Sequence, residues 1–384
     1  MTRAGIVVVV ALVLAGLASA SGPTPGGRQI VIRGCDDLYY ERVGFPQRLI
    51  VSNLPMEDSA HTAMHQMTQA IKLTLKRHGF RAGRFSVGYV SCDDSGGAGS
   101  SSASRCAANA RSAARHAAVI AVIGTLDSAC ARAKLPVLAA ARMLLLTPLN
   151  TADDLTRGRA KVARLSATDS AQAAAAARFL RGTGARRVAV LSDGTPRGNV
   201  YASAFRRVAA PLGLRIARGN ADAAYVGGLI GGPTRRTLAK AKLLSGGGPV
   251  ALSAGYGPIA QLVDTAAPGE AEGAYLFVAG VPDERLDPAG EAFVRRFERS
   301  VGTTPHPYAV YAAQSAELLL GALAGSDGSR PAVARGVLRA RVHDGPIGSF
   351  AFDRHGDAKP AAVTIFRVHD RRADIVRVVD SGIP

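Results

Sequence analysis

Val119-Ile120-Ala121-Val122-Ile123-Gly124-Thr125-Leu126-Asp127-Ser128 is the stretch whose reading decides the architecture. An apolar run breaks at a glycine into small polar residues. A short helical stretch and Pro136 follow, then a second apolar run at 143–146, ending in Thr147-Pro148-Leu149-Asn150-Thr151. Continuous apolar runs of this length are how buried parallel strands read. Each run here leads from small hydroxyl and amide residues towards a helix start. Hydroxyls and free backbone N–H groups gathered at strand ends make a socket for a small anion such as a carboxylate. The socket has groups that bind and none that do chemistry.

Outward from this stretch the same rhythm continues. Residues 48–54 read as a strand, 59–78 as an amphipathic helix, 85–91 as a strand ending at Cys92-Asp93-Asp94, and 106–116 as a helix. The adjacent acids Asp93 and Asp94 read as a strand-end cap. A strand at 162–167 leads to Asp169, read as the cap of an Ala-rich helix reaching Arg181. The pattern then restarts with strands at 188–191, 223–226 and 250–253 and helices at 201–212, closed by Gly213, and 234–244. Two half-chains with one βα rhythm predict an α/β protein of two similar Rossmann-like lobes, each a parallel sheet covered by helices. Helices at 288–301 and 307–323 and strands within 350–379 have no full sheet of their own. They must pack on the earlier lobes, so the chain crosses between lobes more than once.

The 384 residues suit two lobes, and the net charge of +18 invites a nucleic-acid reading. The basic residues are instead scattered as pairs such as Arg186-Arg187, Arg206-Arg207 and Arg295-Arg296, with no dense run and little aromatic interleaving. They read as a solvated surface, and no nucleic-acid partner is expected. Arg3, the apolar run at 6–17 and Ala18-Ser19-Ala20 read as a signal peptide over 1–20, and 21–28 as a flexible spacer. The protein is therefore expected outside the cytoplasm, cleaved after Ala20 or held by an uncleaved N-terminal anchor. Export makes the four cysteines disulfide candidates. Cys92 and Cys106 flank a Gly/Ser-rich loop and could close it, with Cys35 and Cys130 as the second bridge. Four cysteines allow three pairings, and all stay open.

No G-x-S-x-G elbow, H-E-x-x-H helix or Walker loop occurs, and Gly246-Gly247-Gly248 precedes a strand instead of following one. His61 and His65 share a helix face, which alone does not make a metal site. Neither an enzyme nor a metal or other cofactor is expected.

The chain resembles the type I periplasmic binding proteins, in the branched-chain amino-acid (Leu/Ile/Val) binding branch. The resemblance rests on blocks in order over residues 45–381: Ser91-Cys92-Asp93-Asp94, Val122-Ile123-Gly124 with Ser128, Thr147-Pro148 with Asn150-Thr151, and Arg164 with Asp169 and Gln172. It continues through Arg187-Val188-Ala189-Val190 with Asp193 and Gly198, Tyr225 with Gly227-Gly228, Gly345-Pro346-Ile347-Gly348, Phe352-Asp353 and Gly356-Asp357.

The resemblance implies a two-lobed clamp that captures a small polar solute, an amino acid or related carboxylate, for an ABC permease. The alternative is a membrane-tethered ligand-sensing ectodomain on the same clamp. It implies an N-terminal lobe of 45–165 plus 283–343, a C-terminal lobe of 166–282 plus 344–381, and 21–44 as an N-terminal extension. Three crossings would lie at 165–167, 277–281 and 345–349. A monomer is expected. The ligand carboxylate would meet Ser128 and Thr151, helped by backbone N–H groups at the following helix start, and its ammonium would meet Asp169. Thr147, Asn150 and Arg197 are further ligand-binding candidates. A second acid falls near Gly255 and is lost. An aromatic wall falls near Arg197, in a Gly/Pro-rich loop, and another near Leu229. The cleft thus loses a carboxylate and an aromatic and gains a guanidinium, which favours a more acidic or non-amino-acid ligand. Tyr256 is the candidate to replace the wall.

Overall fold

The computed structural model describes residues 30–57, 61–96, 101–158 and 160–380. The segments read as a signal peptide (1–20) and a spacer (21–28) lie outside the described residues. The first half of the chain runs β1 (Arg48–Leu54), α1 (His61–Arg77), β2 (Arg81–Ala82), β3 (Phe85–Asp93), α2 (Ala103–Arg115), β4 (Val119–Ile123), α3 (Ser128–Ala140), β5 (Leu144–Thr147) and β6 (Val162–Arg164). These strands form one sheet in the order β2-β3-β1-β4-β5-β6. All its pairings are parallel except that of the short β2 with β3. The five residues of β4 are all buried, as a strand covered on both faces must be.

The second half runs α4 (Asp169–Gly182), β7 (Arg187–Ser192), α5 (Pro196–Ala209), β8 (Arg215–Ala217), β9 (Ala223–Gly227), α6 (Thr234–Leu244), β10 (Val250–Leu252), α7 (Ile259–Thr265) and β11 (Tyr275–Ala279). The chain then returns to the first sheet with α8 (Pro288–Val301), α9 (Pro307–Ala324) and α10 (Arg330–Leu338). The small antiparallel strands β12 (Arg341–Gly345), β13 (Gly348–Phe352) and β14 (Ala358–Lys359) follow. Finally β15 (Ala362–His369) and β16 (Arg372–Asp380) complete the second sheet, ordered β16-β15-β11-β10-β9-β7-β8. The last two strands join antiparallel.

Each sheet has its own core. Around the first, Ile50, Met67, Ile123 and Leu146 pack with Phe293, Phe297 and Leu319 of the returning helices. This is why helices without strands of their own are stable: α9 lays its apolar face on α1. Around the second, Phe205 stacks on Tyr225 with ring centroids 4.2 Å apart, beside alanines of α4. Small alanines let α4 approach the sheet closely.

Three places differ from the sequence reading. Phe350 and Ala358 join the first core, so the last return to the second sheet comes at 359–362, past the 345–349 segment expected to cross. Within the extension, Cys35 and Tyr39 bridge Cys92 and Tyr89 of β3 in antiparallel fashion, adding backbone pairing at that sheet edge. The disulfides join Cys35 to Cys92 and Cys106 to Cys130, not Cys92 to Cys106. Cys92 lies on the strand edge where the extension docks, and Cys106 faces α3 from the buried side of α2.

Candidate functional site

In each sheet there is a point where successive strands are added on opposite sides. β1 lies between β3 and β4, and β7 between β8 and β9. Loops leaving adjacent strands diverge there and open a crevice at the strand carboxyl ends. The loops from β4 to α3 and from β7 to α5 flank these two points.

On the first side, Gly124 ends β4 with φ +124°, and a Cβ there would stand 2.3 Å from the Asn53 carbonyl oxygen. Only glycine lets the chain turn so tightly against β1. Asp127 then caps α3 by accepting a hydrogen bond from the Cys130 N–H at 2.7 Å. Ser128 is therefore free of the capping duty. It is half-buried in the first turn, and its Oγ accepts only a long bond from the Ala152 N–H, 3.4 Å. Thr147 donates to Asn150 Oδ1 at 2.7 Å, and Asn150 Nδ2 donates to the Leu126 carbonyl at 3.2 Å. Both are buried, so they shape the loop and do not face a ligand.

Thr151 follows on a segment gripped from several sides. Arg164 donates to the Ala152 carbonyl and pairs with Asp357 at 2.7 Å. Arg132 holds Asp154 through two bonds of 2.8 and 2.7 Å. Asp153 accepts from Ser170 Oγ at 2.6 Å and from Arg207 at 3.1 Å, both beyond the crossing.

On the second side, Thr195 caps α5 by accepting from the Gly198 N–H at 2.9 Å, and Pro196 opens the helix. Arg197 thus projects from the first helical turn, not from a loop. A Cβ on Gly198 would stand 2.0 Å from Asp193 Oδ1, and one on Gly227 2.5 Å from the Gly198 carbonyl. This paired close approach seats the start of α5 against β9.

Asp169 does not cap α4; Thr168 does, accepting from the Ala171 N–H at 3.0 Å. Asp169 instead takes both Arg197 Nη atoms at 2.9 Å each, and Arg197 Nη2 also donates to Thr151 Oγ1 at 2.7 Å. The guanidinium lies over the Tyr201 ring, 4.2 Å from its centroid. Burial opposes its charge, but Tyr201 and Asp169 outweigh that and raise its pKa. Burial is also what raises the Tyr201 hydroxyl, with Tyr308 of α9 close enough to add to the effect. One guanidinium therefore joins the second half of the fold to Thr151 of the first.

Residues 55–222 match the family model described as periplasmic binding protein. A substrate-binding protein of an ABC transporter from Desulfitobacterium hafniense, solved with Leu, superposes with a TM-score of 0.70 over 86% of this chain and 99% of its own, at 23% identity. The chain has the fold of the type I periplasmic binding proteins. A leucine binding protein from Thermotoga maritima gives 0.70 at 22% identity, covering 86% of this chain and 98% of that one. An ABC transporter solute binding protein from R. palustris, solved with benzoate, gives 0.66 at 16% identity, covering 86% and 95%. Among curated proteins none matches.

Arg197 joins Asp169 to Thr151, and Ser128 is bonded by the N–H next to Thr151, whereas Thr147 and Asn150, expected to bind the ligand, are buried and bonded within the loop. Tyr256 does not form a wall: it is 0% exposed in the core of the second sheet, its hydroxyl against Gly228. Tyr201 and Tyr308 were missed. Arg197 and Tyr201 stand four apart on one helix, a spacing that signals contact once the helix start is placed at Pro196. Tyr308 had no local signal, since it arrives from the returning segment. Two cavities lie elsewhere. One of about 710 Å³ is at the amino ends of the first sheet's strands beside Arg48 and Arg330, and one of about 370 Å³ is lined by α1, α8 and α9. Neither gathers residues from both switch points.

Proposed function

We propose that the chain is an exported receptor that closes its two lobes on a small carboxylate-bearing solute and presents it to an ABC permease. In this reading the first lobe comprises 45–165 with 283–359 and the second 166–282 with 360–380. The supporting observation is that Arg197, in the first turn of α5, donates to Thr151, while the N–H of the next residue, Ala152, donates to Ser128 in the first turn of α3. Helix N-termini and an arginine attract anions, and neutral hydroxyls orient them. The D. hafniense and R. palustris relatives were solved with Leu and with benzoate, and both ligands carry a carboxylate. The residues at 1–20 direct export, and lobe closure at the crossings gates access.

A thermal-shift screen of the exported protein against amino acids, monocarboxylates, dicarboxylates, amides and short peptides tests this. A carboxylate class raises the melting temperature with a dose dependence set by its affinity, and Ser128→Ala removes most of the shift. A folded protein that responds to no class overturns the receptor reading.

A further inference from the structure

We propose that Arg197 acts as a built-in counter-ion for Asp169 and so makes the cleft select carboxylates that lack an α-ammonium group over free α-amino acids. The inference rests on the receptor reading above and concerns the same site. An α-amino acid brings two charges, and a buried cleft must pair both. An ammonium needs an open acceptor, and Asp169 is not open. Its side chain is 1% exposed, and both oxygens are held at 2.9 Å by Arg197.

The other acids near the two switch points are likewise committed. Asp193 accepts from Thr195 and from the Leu229 N–H, Asp127 caps α3, and Asp154 is paired with Arg132. Where a second acid could enter, Gly228 and Gly255 lie packed in contact, a Cβ on Gly255 falling 2.2 Å from the Gly228 carbonyl oxygen.

The charge left accessible is positive. The Arg197 side chain is 29% exposed; besides Asp169 it touches the neutral Thr151 and Tyr201, and the further charge acting on it is the positive Arg132. A carboxylate gains from that guanidinium, whereas an α-ammonium is repelled by it and finds no acceptor in exchange. Discrimination through an unpaired charge is stronger than discrimination by shape alone.

The test is calorimetric titration of the exported protein with matched pairs: leucine and 4-methylpentanoate, phenylalanine and 3-phenylpropanoate, glutamate and glutarate. In at least one pair the amine-free member binds, and by about tenfold or more over its amino acid. Arg197→Met, which keeps an apolar chain over Tyr201, exposes Asp169 and shrinks or inverts that preference. Arg197→Met with Asp169→Asn serves if the single variant fails to fold, and it loses the preference without gaining amino acids. An amino acid binding as tightly as its partner overturns this inference and leaves the receptor reading standing. A preference unchanged in the variants also overturns it. If the folded protein binds neither member of any pair, the inference falls together with the receptor reading.

Discussion

At position 197 a guanidinium satisfies a buried acid, and at position 134 a lysine does the opposite, entering the core with little to satisfy it. Lys134 is fully buried on α3, its Nζ 3.6 Å from Asp94 and without a hydrogen-bond partner. Burial pulls its pKa down from 10.5 to about 7, with Asp94 opposing the shift. Between those values the unfolded chain holds a proton that the folded chain does not. Stability therefore rises with pH across that window, by up to about 1.4 kcal/mol per pH unit. Burial also raises Asp94, and that contribution has the reverse sign, being lost as pH rises. Urea denaturation from pH 7.5 to 9.5 should show the wild type gaining stability relative to the double variant Lys134→Met, Asp94→Asn. A constant difference would refute a depressed Lys134.

The single residues differ in how far sequence disclosed them. The positions of Ser128 and Thr151 after strands were legible because each follows a continuous apolar run. Lys134 was not, since a lysine on a helix reads as solvated until the packing face of that helix is known. Asp93 behaves as the expected strand-end cap, accepting from the Met56 and Ser95 N–H groups, but its neighbour Asp94 turns inward to Lys134.

Among the elements, the long apolar strands and amphipathic helices were readable because burial on one or two faces imposes a period. The short edge strands β2, β8 and β14 were not, as two or three residues carry no period. The start of α5 was misread although Thr195-Pro196 is a helix-start signal, because the Gly/Pro content suggested a loop. Disulfide pairing was unreadable for a different reason. Proximity along the chain favoured Cys92 with Cys106, whereas side-chain direction joins α2 to α3 and the extension to β3. Non-reducing peptide mapping should recover Cys35–Cys92 and Cys106–Cys130 cross-links. Replacing Cys106 and Cys130 by alanine should cost about 3.5 kcal/mol in urea denaturation, the chain entropy of a loop of their 24-residue separation. A Cys92–Cys106 peptide, or no loss of stability, would contradict this.

Across the whole molecule, three passages of chain connect the sheets, and their surroundings are polar and specific. The buried Arg164 of β6 pairs with Asp357, and its N–H donates to the Gly356 carbonyl, so the turn before the last passage is fastened to the end of the first sheet. The net charge of +18 gives the molecule a net positive field, which favours encounter with anions over cations at low salt. The topology was foreseeable from the two βα half-chains. The site's charge balance was not, because it depends on Arg197 and Asp169 meeting across 28 residues of sequence.

Backbone hydrogen exchange with and without a saturating carboxylate tests most directly that ligand is held between the lobes. The predicted result is slowed exchange at 126–131, 150–153 and 195–200, the two helix starts and the Thr151 segment. Slowed exchange confined to the groove of α1, α8 and α9, with none at those three stretches, would contradict it.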